Sequence, residues 1–446
     1  MKSIDYKRLI ISRNNLIFIA LMLFYRILLD LLYVKCICVK FSYWSYNSES
    51  TPLFTIVSWV VLLILLIPIK NMSIGENSLS DEVLIVLFIL SIVPFTTLIK
   101  YNHFKPMFVF YNFLFWSILF FSHAFLKKIS FNKLRISNKR IMNDSMLKAI
   151  TVFFFVVLFF ISAYYTRLRI SISFSESLDI RNDSIELNIP GVLNYLYLWS
   201  QVIVPVLLAY FIKKKNVVYS VICIAIQLLS YGINGMKTTL FVVFVVVAIS
   251  FIPKMSVSAT NRMMVIIVSV GCILGIIETL LFKTYNLSGI IFLRVFFLPN
   301  SISYSYYDFF SNQTPDYLRA SFLRHFGFTS PYENIPQIIG TKYYHSDMRC
   351  NDGLIGDAFA NFGVLGVVVL PVMIAIVLKA MDEKTKGLEV KFYLGVSFVI
   401  AIRLMSNYLI TSLLSYGFIL LIVLMGLIER NEISADDSVE TNGDSN

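Results

Sequence analysis

The stretch MMVIIVSVGCILGIIETLLF, residues 263–282, decides the fold class of this chain. It is apolar almost throughout, with Glu278 as its one charged residue, and it lacks the alternation of polar and apolar residues that a membrane barrel strand shows. A helix rises about 1.5 Å per residue, so a run of this length spans a hydrocarbon core about 30 Å thick. The stretch therefore predicts a membrane-spanning helix, which ends where the polar segment from Lys283 begins.

Similar apolar runs recur along the whole chain of 446 residues. Hydrophobic residues make up 57% and charged residues 15% of the sequence, and the mean hydropathy is +0.75, which excludes a soluble globular protein. The sequence predicts an all-α polytopic integral membrane bundle of about twelve helices, forming one domain over residues 1–428. The expected spans are 14–34, 53–69, 82–99, 106–126, 149–165, 191–212, 217–232, 238–252, 263–282, 354–378, 392–407 and 409–428.

The distribution of Lys and Arg predicts the orientation of these helices. With both termini in the cytoplasm, the inner segments hold about twice the density of basic residues found in the outer ones. The strongest contributions come from the segment between Lys127 and Lys148 and from the run at 213–215. Two loops, 166–190 and 283–353, then lie outside. The acidic tail 429–446 is expected to be disordered on the inner side.

The outer segment 283–353 is rich in residues that suit a large anionic, sugar-bearing lipid. Aromatic rings can stack on sugar faces, and arginine binds phosphate in bidentate fashion. Within the segment, 316–326 predicts a short amphipathic helix at the membrane surface. The candidate phosphate ligands here are Arg294, Arg319 and Arg324. The candidate general bases in or beside the segment are His325, His345, Asp308, Asp352 and Asp357, of which the histidines have the suitable pKa.

Three further basic residues outside this segment could contact phosphate. The break at 231–239 predicts a helix that begins at about Lys237, with free N–H groups and the lysine facing outward, although a tight turn with an anchoring lysine is the alternative. The first outer loop holds Arg167 and Arg181 among acidic residues, so it is either a phosphate-binding loop or a salt-bridged surface.

Charged residues inside the expected spans are costly unless they are paired or hydrated. Arg26 and Asp30 lie four residues apart in the first span and predict a structural ion pair. Arg403 in the eleventh span has no local partner in the sequence, so it either contacts the ligand, pairs with a distant group or reaches the interface.

The sequence also excludes several kinds of chemistry. It has no nucleophile-elbow, zinc-protease or P-loop motif, and its five cysteines have no metal or redox spacing. The net charge of +11 follows from the basic inner loops and the basic outer surface, and no nucleic-acid-binding motif is present. We therefore expect general-base and electrostatic chemistry with no metal and no cofactor, and no nucleic-acid partner.

Two sequence patterns resemble those of a known family. The first is Arg-x-Phe-x-x-Pro at 294–299 followed by Tyr-Tyr-Asp-Phe-Phe at 306–310, and the second is NDGLIGDAFANFGVLG at 351–366. Together with the topology, they resemble the bacterial Wzy-type O-antigen polymerases, which join oligosaccharide repeat units. A family element of the type Gly-x-Arg-Ser/Thr is matched at 235–238, but with Lys237 in place of the arginine.

The resemblance implies a fold like that of GT-C glycosyltransferases in the bacterial inner membrane, with both outer loops in the periplasm. It implies that the growing chain moves from undecaprenyl diphosphate to an incoming lipid-linked unit without a metal. Membrane lipid, a chain-length regulator and a flippase of the same pathway are the other expected partners. The residues expected to bind the diphosphate are Arg167, Arg181, Lys237, Arg294, Arg319, Arg324 and Arg403.

Three alternative functions stay open at this point. An O-antigen ligase-like transferase would carry similar outer arginines. A lipid-linked oligosaccharide flippase would show short loops and charges spread through its central spans, and a secondary transporter would show an internal repeat. The long outer segment and the absence of a visible repeat favour the polymerase.

Overall fold

The computed structural model describes residues 2–44, 46–73, 78–129, 143–169, 180, 183–184, 187–251, 256–386 and 390–428. The regular structure of these residues is helical, with no strand among them, and many of the helices are long and apolar. The chain is thus an all-α, multi-pass membrane protein, and the predicted fold class is confirmed. The tail 429–446 and most of the first outer loop lie outside the described residues.

The helices are numbered here in chain order. Ten helical segments of the described residues are long and apolar enough to cross a membrane, with α12 and α13 together counting as one. Three shorter apolar helices occur at Lys237–Ser250, Leu394–Ser406 and Phe418–Leu427. The helices are α1 (Arg13–Lys40), α2 (Pro52–Met72), α3 (Leu79–Asn102), α4 (Pro106–Lys128), α5 (Asp144–Thr166), α6 (Gly191–Lys213), α7 (Val217–Asn234), α8 (Lys237–Ser250), α9 (Val257–Phe282), α10 (Leu287–Phe310), α11 (Ile335–Tyr344), α12 (Leu354–Phe362), α13 (Gly366–Thr385), α14 (Val390–Ser406), α15 (Leu409–Leu414) and α16 (Phe418–Leu427).

The helices form two compact units, each built from separate stretches of sequence. Unit 1 comprises Met1–Ser130, Ile252–Lys379 and Ser397–Tyr416, and unit 2 comprises Phe131–Phe251, Ala380–Val396 and Gly417–Asn446. The sequence predicts one domain over 1–428. At 379–380 and 396–397, the chain passes between the units within the continuous helices α13 and α14.

Local sequence explains where several helices begin. Asn143 and Ser256 accept hydrogen bonds from the main-chain N–H groups three residues later, at 3.1 and 3.4 Å, and so cap α5 and α9. Helix α7 ends at Asn234, where Gly235 adopts the left-handed conformation, and α8 then begins at Lys237. The predicted helix start at Lys237 is therefore confirmed.

A buried ion pair lies in unit 1, as the spacing of Arg26 and Asp30 predicts. The Arg26 guanidinium also donates to the hydroxyl and carbonyl oxygens of Thr96, at 2.8 and 2.9 Å, and Lys100 contacts Asp30 at 3.1 Å. These contacts join α1 to α3. Because a buried charge is costly without partners, the pair is a structural connection within the membrane bundle.

The structure corrects the boundary of the large outer loop. Helix α10 occupies Leu287–Phe310, where the sequence analysis expected the loop to begin. Many Ser, Tyr and Asn residues obscure this helix in the sequence, but serine hydroxyls donate to the helix backbone, as Ser305 does to the carbonyl of Ser301 at 3.1 Å. The expected loop is thus shortened to residues 311–353.

Both ends of α10 lie on the same side of unit 1. Near its start, Gly289 packs against Phe41, which follows α1. Near its end, Asp308 bonds to Lys105, between α3 and α4, at 2.5 Å. The α1–α2 connection contacts the α3–α4 connection, since the His103 ring bonds to the carbonyl of Glu49 at 3.0 Å. Both ends of α10 are therefore near the same two connections, and segment 311–353 follows on that side of unit 1, which we call the loop face.

Segment 311–353 contains one regular helix, α11, among turns. The expected amphipathic helix at 316–326 is wrong, because only a 3-10 turn occurs there, at Leu323–Phe326. The reason lies in Tyr317 and Leu318, which both have positive φ values and donate N–H groups to Asn361 of α12. These long-range bonds hold the backbone out of a helical conformation.

Candidate functional site

A cavity of about 290 Å³ lies at the loop face of unit 1. Three stretches of chain surround it: the middle of segment 311–353, the residues before α12, and the junction of α14 with α15. Hydroxyl, amide and carboxyl groups converge on it, as they do in small-molecule sites. Its lining residues are Ala320, Ser321, Glu333, Asn334, Ile335, Pro336, Asn351, Asp352, Ser406, Asn407, Tyr408 and Thr411.

Asp352 is the buried acidic group of this cavity. It precedes α12, and its side chain accepts a hydrogen bond from the Ser303 hydroxyl of α10 at 2.7 Å. Only 3% of the residue is exposed. Burial raises the pKa of Asp352 well above its usual range, and the Ser303 hydroxyl opposes the shift. A buried carboxyl group with a raised pKa is a stronger base than an ordinary aspartate, which suits general acid–base chemistry.

The backbone beside Asp352 is tightly packed. The Gly353 N–H donates to the carbonyl of Met405 at 3.1 Å, and a Cβ at Gly353 would overlap the carbonyl oxygens of Leu404 and Asn407. Leu354 follows with a φ of 47°, a left-handed conformation that leucine rarely adopts. Close packing and backbone strain thus fix Asp352 at the wall of the cavity.

Asp357, another predicted base, does not line the cavity. Its two oxygens accept hydrogen bonds from the main-chain N–H of Leu409 and from the Asn361 amide, both at 2.6 Å. Asn361 in turn accepts the N–H of Leu318 at 3.1 Å. This chain of bonds connects α12 to the start of α15 and to segment 311–353, so the position of Asp357 indicates a structural role.

Asp308 lies at the end of α10, away from the cavity lining. It accepts hydrogen bonds from Lys105 at 2.5 Å and from the Tyr343 hydroxyl at 2.8 Å. The hydrogen bond to Asp308 raises the pKa of Lys105. These contacts fasten α11 and the end of α10 to the connection before α4. A carboxylate held between two donors is a weaker base than Asp352.

None of the predicted arginines of unit 1 lines the cavity. Arg319 donates to the carbonyl oxygens of Asp316 and Pro315, at 2.7 and 3.2 Å. Arg294 and Arg324 are exposed. Arg403 is buried, and its guanidinium lies 4.6 Å from the centre of the Tyr416 ring. The structure therefore separates these cations from the carboxyl-bearing cavity.

The two predicted histidine bases also lie outside the cavity lining. His325 is exposed in the 3-10 turn of segment 311–353. His345 is exposed and follows α11 with a left-handed φ of 48°. Neither position places an imidazole beside Asp352 in the cavity wall.

The remaining predicted phosphate ligands belong to unit 2. Arg167 is exposed and follows α5 in a left-handed conformation, while Lys237 is the first residue of α8. Arg181 lies outside the described residues.

Most of the cavity residues could not be singled out from the sequence, among them Ser321, Glu333, Asn334, Asn407 and Tyr408. One signal was present: the polar run Ser406-Asn407-Tyr408 separates two apolar stretches, much as the run before Lys237 does. The others lie in turns, where single-sequence patterns do not show which residues meet. No family model, curated protein or solved structure matches this chain.

Proposed function

We propose that this protein is a membrane glycosyltransferase that polymerises undecaprenyl-diphosphate-linked oligosaccharide units at the periplasmic face of a bacterial inner membrane. The single observation that carries the proposal is Asp352, a buried carboxyl group in the wall of a polar cavity at the loop face. The motif resemblance around 294–310 and 351–366 supplies the substrate class, and both motifs contribute to this region through Ser303 and Asp352.

The proposed reaction uses Asp352 as the general base. Its ionised carboxylate accepts the proton of a sugar hydroxyl while the hydroxyl oxygen forms a bond to the anomeric carbon of the growing chain. The bond from that carbon to the diphosphate breaks, and the electron pair leaves with the diphosphate. A positioned base of this kind contributes about 10²- to 10⁴-fold to the rate.

The leaving diphosphate requires positive charge, which stabilises the transition state more than the bound substrate. In unit 1, Arg294 and Arg324 are exposed and make no hydrogen bond or ion pair within the described residues. Their guanidinium groups are therefore open to an anionic ligand. We assign Arg294 and Arg324 to binding of the diphosphate, and we assign the cavity to binding of the sugar.

The proposal is tested by expressing Asp352→Asn in cells that lack the native copy and separating their lipopolysaccharide by size. Loss of polymerisation leaves molecules with single repeat units, whereas the Asp347→Asn control, an exposed site on the same segment, keeps the polymer ladder. A normal ladder from a well-expressed Asp352→Asn protein would contradict the proposal. Complete absence of repeat units on the lipid core would indicate the ligase alternative.

A further inference from the structure

The cavity is lined by acidic and uncharged side chains. The lining contains the carboxyl groups of Glu333 and Asp352, and no lysine, arginine or histidine contributes to it among the described residues. Two arginines are close in sequence to lining residues, but Arg319 bonds to main-chain carbonyls and Arg403 stacks on Tyr416. A ligand in the cavity therefore meets negative and neutral groups.

The neutral groups supply both donors and acceptors. The hydroxyls of Ser321 and Ser406 donate to main-chain carbonyls, at 3.3 and 2.7 Å, so their oxygens remain acceptors for a ligand. The Asn334 oxygen caps α11, which leaves its NH₂ group as a donor. The Asn351 side-chain amide and the Thr411 hydroxyl make no hydrogen bond within the described residues. Each can therefore both donate a hydrogen bond to a ligand and accept one from it. This mixture matches a ligand whose hydroxyl groups also donate and accept.

We infer that the cavity is a subsite for one uncharged sugar ring and that it selects against sugars with a carboxylate or phosphate group. The inference rests on the proposed function and specifies which part of the lipid-linked substrate enters the cavity. Ile335 and Pro336 add an apolar surface for the C–H face of the ring. The diphosphate then binds outside the cavity, where the arginines lie.

The size of the cavity limits its occupant. Small-molecule sites range from about 300 to 1,000 Å³, and this cavity, at about 290 Å³, lies at the lower limit. It accommodates one ring rather than a whole repeat unit. The remainder of the oligosaccharide extends past Glu333, which is exposed.

Repulsion sets the expected selectivity. Two like charges about 6 Å apart, at an effective dielectric constant near 20, repel strongly enough to weaken binding about 100-fold. Because Glu333 is exposed and its charge is screened by water and salt, we expect a difference of about tenfold.

The experiment uses the purified full-length protein in lipid nanodiscs and measures binding calorimetrically. Methyl glucoside and methyl galactoside are compared with the matching methyl uronides, which differ only at C6, and inorganic pyrophosphate is added as a third probe. We expect the neutral glycosides to bind about tenfold more tightly than the uronides. Glu333→Lys should remove or reverse this preference, whereas Asp347→Lys, which adds the same charge outside the lining, should preserve it.

Two results would overturn the inference: uronides that bind the wild type as tightly as neutral glycosides, or a preference that Glu333→Lys leaves unchanged. Absence of binding by any neutral glycoside would also overturn it. Failure of the proposed function has a different signature, since Asp352→Asn cells would then keep their polymer ladder whatever the sugar selectivity. If Asp352→Asn abolishes the ladder while uronides bind equally well, the polymerase stands and the neutral subsite is wrong.

Discussion

Replacing Asp352 by asparagine should change how the stability of this protein depends on pH. The substitution keeps the shape of the side chain, and the Ser303 hydroxyl, now 2.7 Å from the carboxylate, can still donate to the amide oxygen. It removes the one feature of Asp352 that burial makes unfavourable, which is its ionisation. The variant therefore isolates the energetic cost of the buried carboxylate.

The sign and size of the effect follow from the raised pKa of Asp352. The folded protein binds this proton more tightly than the unfolded chain, whose Asp pKa is about 3.9. The stability that the proton provides is fully present below that value and is lost as pH rises through the folded pKa. Within this window, each pH unit lowers the free energy of unfolding of the wild type by about 1.4 kcal/mol.

The assay compares thermal unfolding midpoints of the wild type and Asp352→Asn from pH 5 to pH 8 in one detergent. All other titrating groups are common to both proteins, so their contributions cancel in the difference. We expect the unfolding midpoint of Asp352→Asn to rise by several degrees relative to that of the wild type as pH increases. The midpoint of Asp347→Asn should follow that of the wild type throughout. A difference between wild type and Asp352→Asn that stays constant over this range would refute the reasoning.

Three further predictions concern the surroundings of the cavity. Gly353→Ala should lower the free energy of unfolding by about 1–3 kcal/mol in denaturation assays, because its Cβ would overlap the Leu404 carbonyl oxygen. Asp316→Ala removes a buried acceptor of two hydrogen bonds, so limited proteolysis should cut segment 311–353 faster than in Asp347→Ala; equal rates would contradict this. Arg294→Ala should unfold within about 0.5 kcal/mol of the wild type, since Arg294 is exposed, yet leave single repeat units on lipopolysaccharide; a normal ladder would exclude it from diphosphate binding.

Features that depend on neighbouring residues could be predicted from the sequence. The pair Arg26 and Asp30 lies on one face of a helix at any position in the fold. Gly235, in the left-handed conformation, ends one helix shortly before the next begins at Lys237. The apolar runs predict the spans because the hydrocarbon thickness fixes their length. Helix α10 escaped prediction because its polar residues find partners within the protein, as Asn300 does with the carbonyl of Ser91 at 3.2 Å.

The cavity depends on contacts that no sequence pattern contains. Its walls come from three stretches, at 320–336, 351–352 and 406–411, and only the fold determines that they meet. The sequence predicts Asp352 as a candidate base but gives equal standing to Asp357, which lies five residues later in the same motif. Burial is the same for both, and their partners decide the difference: Asp357 has both oxygens bonded, whereas Asp352 also faces the cavity.

The helix breaks around the cavity explain why it lies where it does. An interrupted helix exposes main-chain N–H and C=O groups, and each costs several kcal/mol in hydrocarbon unless protein or water satisfies it. At the break before α12, the Gly353 N–H bonds to Met405, and at the break before α15, the Leu409 N–H bonds to Asp357. The main-chain N–H group at each break is thus bonded to a residue close to the other break. The paired breaks let polar side chains converge on the cavity while these main-chain N–H groups stay bonded within unit 1.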